Sequence, residues 1–234
     1  MGGERPGPGR ATVASVVGLL AMWNLVVNLA LPSVAYVPAN ALAAAGLLLI
    51  GRRRALSWAQ LGVGRDQAGA GLRLGIAAGA AIAVVIGGLV AWPWSRRFFE
   101  DGSLVGVGVA GMLYQVLVRI PLGTALFEEV AFRGVLLGVW RRAGLRAAGP
   151  ATSALFGLWH VLPSLGRLDL NPAGGYAVTL AAEAGIVAGA VAFTAIAGLG
   201  FVWLRERSGG LVAPTCAHAM VNSSAYLLGW LVAG

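Results

Sequence analysis

Lysine is absent from this 234-residue chain: all 17 basic residues are arginine, set against nine acidic residues and only two histidines. Charged residues make up 11% of the sequence and hydrophobic residues 58%, with a mean hydropathy of +0.80. A soluble domain needs more charge than this to cover its surface, so the composition indicates one integral membrane domain with several spans. The net charge of +8 is spread along the chain and not gathered on one soluble face, which excludes nucleic acid as a partner. The single cysteine, Cys216, excludes an intrachain disulfide. Several protease signatures are also missing. There is no His-Glu-x-x-His, no Gly-x-Gly-Asp and no Gly-x-Ser-x-Gly, which removes the common zinc, aspartyl and serine arrangements.

Long uncharged runs are plentiful. From Ala11 to Gly51 no charged residue occurs, enough for two spans separated by the Pro32 to Pro38 segment. A signal peptide after Arg5 and Arg10 is the competing reading. Arg52, Arg53, Arg54, Arg65 and Arg73 flank a weakly amphipathic piece around Trp58 and Leu61, expected on the membrane surface. A third span runs from Leu74 to Trp92, with Gly71, Gly75 and Gly79 at four-residue spacing. That spacing lets helix backbones approach closely, although 36 glycines also yield such triplets by chance. Further spans are expected over Ala148 to Pro163, Gly175 to Leu204 and Leu211 to Val232.

A single helix over Val105 to Trp140 would reach roughly 54 Å, against a hydrocarbon core of about 30 Å. Pro121 and Gly123 interrupt it, so it is either one kinked, tilted helix or a span followed by a second helix. The fold expectation is an all-α transmembrane bundle of seven to eight spans. Its parts are a flexible tail over 1–12, a first unit of three transmembrane helices with an Arg-rich loop over 13–104, and a catalytic unit over 105–234. With seven crossings and the amino terminus inside, twelve arginines fall on the inner side. Arg96, Arg97 and Arg167 fall outside, and Arg119 and Arg133 lie within segments. This bias fits the positive-inside rule and places the chain in a cell membrane with a cytoplasmic amino terminus. The Arg-only, Ala- and Gly-rich usage points to a bacterial inner membrane.

Within this apolar setting Phe127 to Gly134 reads Phe-Glu-Glu-Val-Ala-Phe-Arg-Gly. A charged side chain in hydrocarbon costs roughly 2.5 to 3.5 kcal/mol on insertion scales, so such a cluster marks a functional site. Glu129 and Arg133 are four apart and share a helix face, where they can neutralise each other. Glu128 is rotated by about 100° and has no local partner, which leaves it as the carboxylate available to take a proton. Glu183 is a second acidic residue in an apolar run, read as lying near the outer surface. Arg119 precedes the Pro121 break with no local partner.

Both histidines fall in patterned stretches. His160 follows Phe156 by one helical turn, and His218 precedes Asn222 by one turn. Counted from the inner ends of their segments, Glu128, His160 and His218 all lie roughly 10 to 20 Å deep. A carboxylate, two imidazoles and an amide in one layer have the parts to activate a water and stabilise an oxyanion.

In that order, Glu128-Glu129-x-x-x-Arg133, Phe156-x-x-x-His160 and His218-x-x-x-Asn222 resemble the motifs of the CAAX protease and bacteriocin-processing (CPBP, or ABI) family of intramembrane endopeptidases. Phe132-Arg133-Gly134 and the approach Arg207 to Pro214 are similar as well. The resemblance covers Leu113 to Tyr226. It implies a helical peptidase whose polar cavity opens toward the cytosol. In it Glu128 is the general base acting with His160 on water, His218 and Asn222 stabilise the oxyanion, and Glu129 and Arg133 support the site. It implies no cofactor; a zinc held by Glu128, His160 and His218 is the alternative. The partners expected are the lipid bilayer and a peptide or protein substrate near the cytosolic face, prenylated or a leader, pheromone or bacteriocin-like peptide. Two other functions stay open. One is a catalytically silent immunity or scaffolding protein; the other is a small transporter relaying through Glu128, Glu129, Arg133 and Glu183, against which stands the lack of an internal repeat.

Overall fold

The structure is a computed structural model that describes residues 10–64, 68–168 and 180–233. Most of the amino-terminal tail, Arg5, Arg65 and the expected Gly175 start of a span lie outside the described residues. Among the described residues there are helices and no strands. The principal ones are α1 (Arg10–Leu29), α2 (Tyr36–Arg53), the single turn α3 (Trp58–Leu61), α4 (Ala68–Ala91), α5 (Val109–Arg142), α6 (Ala148–Trp159), α7 (Val161–Leu168), α8 (Leu180–Ser208) and α9 (Val212–Ala233), with short turns of helix between α4 and α5.

Five of the helical segments are long and apolar enough to cross a membrane, namely Thr12–Leu29, Ser33–Arg53, Ala68–Ala91, Val109–Arg142 and Ala182–Ser208. The remaining expected spans are the ones that carry chemistry. The stretch after Ala148 is divided at His160 into α6 and α7, and α9 is diluted by Thr215, His218, Asn222, Ser223 and Ser224. Large apolar side chains point outward all along the bundle, among them Met22, Leu42, Val84, Leu117, Phe193 and Ile196. A soluble protein would not expose so much apolar surface, whereas a multi-pass membrane protein presents it to lipid.

Helix α5 is one continuous element and forms the centre of the bundle. Every residue from Phe127 to Trp140 is buried, as expected for a helix surrounded on all sides. Its core side chains pack against Val16 and Leu20 of α1, Leu47 of α2, Phe156 and Trp159 of α6, Phe201 and Leu204 of α8, and Ala213 and Ala217 of α9. Proline cannot donate a backbone hydrogen bond and crowds the preceding turn. Around Pro121 the helix answers by widening into a π-helical stretch over Gln115–Ala125, with the Leu126 N–H bonded to Pro121 O. A second π-helical stretch spans Val130–Leu136. The normal turn Leu126–Glu129, which bears both glutamates, sits between them. Such widening is uncommon and concentrates at functional sites.

The glycine triplet makes close contact. A Cβ on Gly75 would stand 2.5 Å from Ala213 O and 2.8 Å from Cys216 Cβ, and one on Gly79 would stand 2.8 Å from Met220 Cβ. Glycine at these positions therefore lets α4 lie directly on α9, the helix that carries His218. Glycine also joins α6 to α8, since a Cβ on Gly157 would meet Val191 O at 2.6 Å.

The Arg-rich ends of α2, α5 and α8 meet at one end of the bundle. Arg141 pairs with Glu206, Arg205 Nη2 donates to Ala59 O and Gln60 O at 3.1 Å each, and Arg52 Nη1 donates to Leu56 O at 2.7 Å. The short helix α3 is closed by a full capping box between Ser57 and Gln60. It is pinned there by Leu61, which is fully buried, and by the Leu211 N–H bonded to Gly62 O. Gly62 has φ +80° and faces the Arg205 guanidinium, a conformation and a spacing that exclude a side chain.

Candidate active site

The charged cluster on α5 is buried almost completely, with Glu128 5%, Glu129 0% and Arg133 1% exposed. Glu129 and Arg133 pair as their spacing requires, Arg133 Nη1 donating to Glu129 Oε1 at 3.0 Å. The guanidinium also donates through Nη2 to Gly198 O on α8 at 3.2 Å. It lies 4.1 Å over the Phe156 ring and 5.1 Å from that of Phe201. Aromatic faces thus replace water around a charge that could not otherwise stay in the interior.

Helix α9 brings His218 onto this pair. Its Nδ1 is 2.9 Å from Glu129 Oε1, and an ionised carboxylate only accepts, so Nδ1 carries the proton. Its Nε2 is then directed at Glu128, 3.7 Å from Oε2. The ring stacks on Phe201 at 4.8 Å and 17° and stands edge-on to Phe156. Glu129 therefore does more than neutralise Arg133, because it sets the tautomer and plane of the imidazole.

Glu128, which has no partner within its own helix, finds one on α6. Trp159 Nε1 donates to Glu128 Oε1 at 3.0 Å, and the Trp159 carbonyl is itself held by Asn24 Nδ2 of α1 at 2.8 Å. The second oxygen, Oε2, is buried with no hydrogen bond among the described residues. His160 lies at the break between α6 and α7. Its Nδ1 is 2.8 Å from Phe156 O and its ring is edge-on to Phe156 at 4.7 Å, so Nε2 remains for a water or a substrate. Asn222 is half-buried, one turn beyond His218.

The structure brings Glu128, Glu129, Arg133, Phe156 and His218 into one network and sets His160 against it through Phe156. Glu183 stands apart, half-buried, lining an apolar groove of about 710 Å³ between α6, α7 and α8. Trp159, Gly198 and Phe201 were not apparent as site residues from the sequence. Trp159 adjoins His160 and was within reach of motif reading, whereas Gly198 and Phe201 come from a helix with no polar signal at that level. Among the described residues no group of three His, Cys, Asp or Glu side chains is disposed to hold a metal ion. Nδ1 of His218 and Nδ1 of His160 are both held by protein oxygens, which leaves Nε2 of each ring as the nitrogen turned to a ligand or substrate.

No curated protein and no solved structure matches the chain. The family model described as "Type II CAAX prenyl endopeptidase Rce1-like" matches residues 109–224, a segment that begins with α5 and ends just beyond Asn222. Residues 109–224 thus form an Rce1-like domain of the CAAX protease (CPBP) family of membrane-embedded endopeptidases.

Proposed function

We propose that this protein is an intramembrane endopeptidase that hydrolyses a peptide bond of a membrane-associated peptide or protein with a glutamate-activated water. The observation that carries the reading is the state of Glu128. One carboxylate oxygen is fixed by Trp159, and the other is buried, unbonded and 3.7 Å from an imidazole nitrogen. A carboxylate held in this way is pre-oriented to accept a proton from a water bound at its free oxygen.

With both ring nitrogens protonated, His218 presents Nε2–H to the reacting centre while Glu129 holds Nδ1–H. In the reaction Glu128 Oε2 takes a proton from water as the hydroxide oxygen bonds to the scissile carbonyl carbon. His160 Nε2 orients that water, and His218 Nε2–H with the Asn222 amide donates to the oxyanion that develops. Collapse breaks the C–N bond, and the proton held on Glu128 passes to the leaving amine. Glu129 and Arg133 act through His218 and do not touch the substrate.

The basic end formed by Arg52, Arg141 and Arg205 faces the cytosol, with the amino terminus on the same side in a bacterial inner membrane. The site is reached from that side. Substrates of the class are prenylated carboxyl-terminal peptides or unprenylated leader, pheromone or bacteriocin-like peptides. The test is cleavage of a panel of fluorogenic peptides, prenylated and not, by detergent-purified protein beside Glu128→Gln, with and without a strong chelator. Turnover abolished in the variant and retained with chelator is expected. Equal cleavage by both proteins would remove Glu128 as the base, and loss with chelator would restore the zinc alternative.

A further inference from the structure

Helix α6 ends at Trp159, and the sequence supplies the reason. A carbonyl in an α-helix accepts from the N–H four residues on, and four residues after Trp159 stands Pro163, which has none. His160 leaves helical geometry, with φ −85° and ψ 0°, and α7 resumes at Val161. The Trp159 carbonyl thus loses its partner along the chain at the junction of two site residues. Trp159 holds Glu128 Oε1 through its indole, and His160 follows directly. A buried carbonyl left without a donor is costly.

The donor comes from another helix. Asn24 Nδ2 of α1 reaches Trp159 O at 2.8 Å, across 135 residues of sequence. Its amide is oriented by Asn28, one turn on, whose Nδ2 donates to Asn24 O and to Asn24 Oδ1 at 2.9 Å each. With Oδ1 engaged as an acceptor, Nδ2 is the end turned to Trp159. Asn24 is buried. The ring of the adjacent Trp23 lies 6.3 Å from that of Phe127, which packs in turn on the Trp159 ring at 5.8 Å. Trp23 is itself anchored, its Nε1 donating to Oδ1 of the buried Asn40 on α2 at 2.8 Å. Helix α1 therefore holds Trp159 at both ends, the carbonyl directly and the ring through Phe127.

We propose that Asn24 is a positioning residue of the active site: by supplying the hydrogen bond that Pro163 cannot, it fixes the Trp159–His160 peptide, and through it both the indole that holds Glu128 and the imidazole that orients the attacking water. This rests on Glu128 being the water-activating group, as proposed above. Asn24 acts through Trp159 and His160 and does not touch the substrate. It places part of the site on α1, outside the residues 109–224 that the family model matches. Rotation of an unheld peptide would displace two groups at once, and a misplacement of about 1 Å can cost roughly 100-fold in rate. A polar side chain between membrane helices can also serve cohesion alone, and the two roles differ in what they leave intact.

The test uses the full-length protein in detergent with Asn24→Leu, which removes the donor at nearly constant volume, and Asn24→Gln, which keeps an amide. In folded Asn24→Leu, kcat on a cleaved fluorogenic peptide is expected to fall about tenfold with KM within about twofold, and Asn24→Gln to lie between. Combined with Trp159→Phe, the loss in kcat should be at least about threefold smaller than the product of the single losses, because both changes act on Glu128. A second arm needs no turnover. Isotope labelling of the indole nitrogens gives one N–H resonance for each of the eight tryptophans, and that of Trp159 is the one missing from Trp159→Phe. It should shift in Asn24→Leu while that of Trp58 on α3 stays in place. Such a shift in a protein that cleaves no peptide would support the hold on Trp159 and count against the peptidase reading instead. Two results would overturn the proposal: an unmoved Trp159 resonance, or an unaltered kcat in Asn24→Leu whose one defect is earlier unfolding, which would make Asn24 a tie between helices. Asn28→Ala, at an exposed position, frees the amide to turn and is expected to give a smaller loss of the same pattern, so the test does not depend on a buried substitution folding.

Discussion

Arg133→Met examines whether the interior network is held by charge balance. The arginine is 1% exposed and Glu129 is fully buried, so neither charge can retreat to water. Methionine keeps much of the apolar contact with Phe156 and Phe201 but removes the bonds to Glu129 Oε1 and Gly198 O. Breaking a buried ion pair by removing one partner costs about 3 to 5 kcal/mol, because the other charge is stranded. Glu129→Gln alone strands the guanidinium and is expected to cost a similar amount. The double variant strands neither charge, and His218 Nδ1–H still finds an oxygen at position 129. Its loss should therefore fall short of the sum of the single losses by about 2 kcal/mol or more, at the high end of couplings for residues in contact. The assay is reversible unfolding in mixed micelles by titration with denaturing detergent, followed by tryptophan fluorescence. Strictly additive losses would refute the reasoning, as would an Arg133→Met protein within 1 kcal/mol of the unaltered chain.

Trp159→Phe keeps an aromatic ring against Phe127 and Phe132 but deletes the donor to Glu128 Oε1. A hydrogen bond to a charged group contributes about 1.5 to 3 kcal/mol, so kcat should fall about 10- to 100-fold with little change in KM in steady-state kinetics. Gly75→Val places a side chain where 2.5 Å separates a Cβ from Ala213 O. Overpacking there should destabilise by about 1 to 3 kcal/mol and reduce turnover by shifting α9, whereas Gly88→Ala, with nothing within 4 Å, should be silent in the same unfolding and activity measurements. Arg141→Ala removes an ion pair whose side chains are 46% and 49% exposed; the expected loss is below about 1 kcal/mol, and a larger drop in the unfolding titration would mean that this pair closes the end of the bundle.

Whatever depends on neighbours along the chain was legible before any fold. Four-residue spacing on a helix put Glu129 beside Arg133 and separated Glu128 from both, and the pair forms as that spacing requires. Apolar runs and the scarcity of charge determined the helical membrane class, because a bilayer admits few other ways to satisfy the backbone. The order of three short motifs was enough to indicate the family. Whether Gly71, Gly75 and Gly79 meant contact or chance was open, and so was the choice between one helix and two around Pro121.

Packing settled those questions, and with them the partners of Glu128 and Glu129 on other helices. Trp159 reaches Glu128 over 31 residues and His218 reaches Glu129 over 89. Helical periodicity says which way a side chain faces, not which other helix it faces. That depends on packing, here on glycines that let α4 lie on α9 and α6 on α8, and on a central helix widened around Pro121. The buried carboxylates and the guanidinium between two aromatic rings come together because five helices converge on α5, a property of the whole bundle and of no single stretch of sequence.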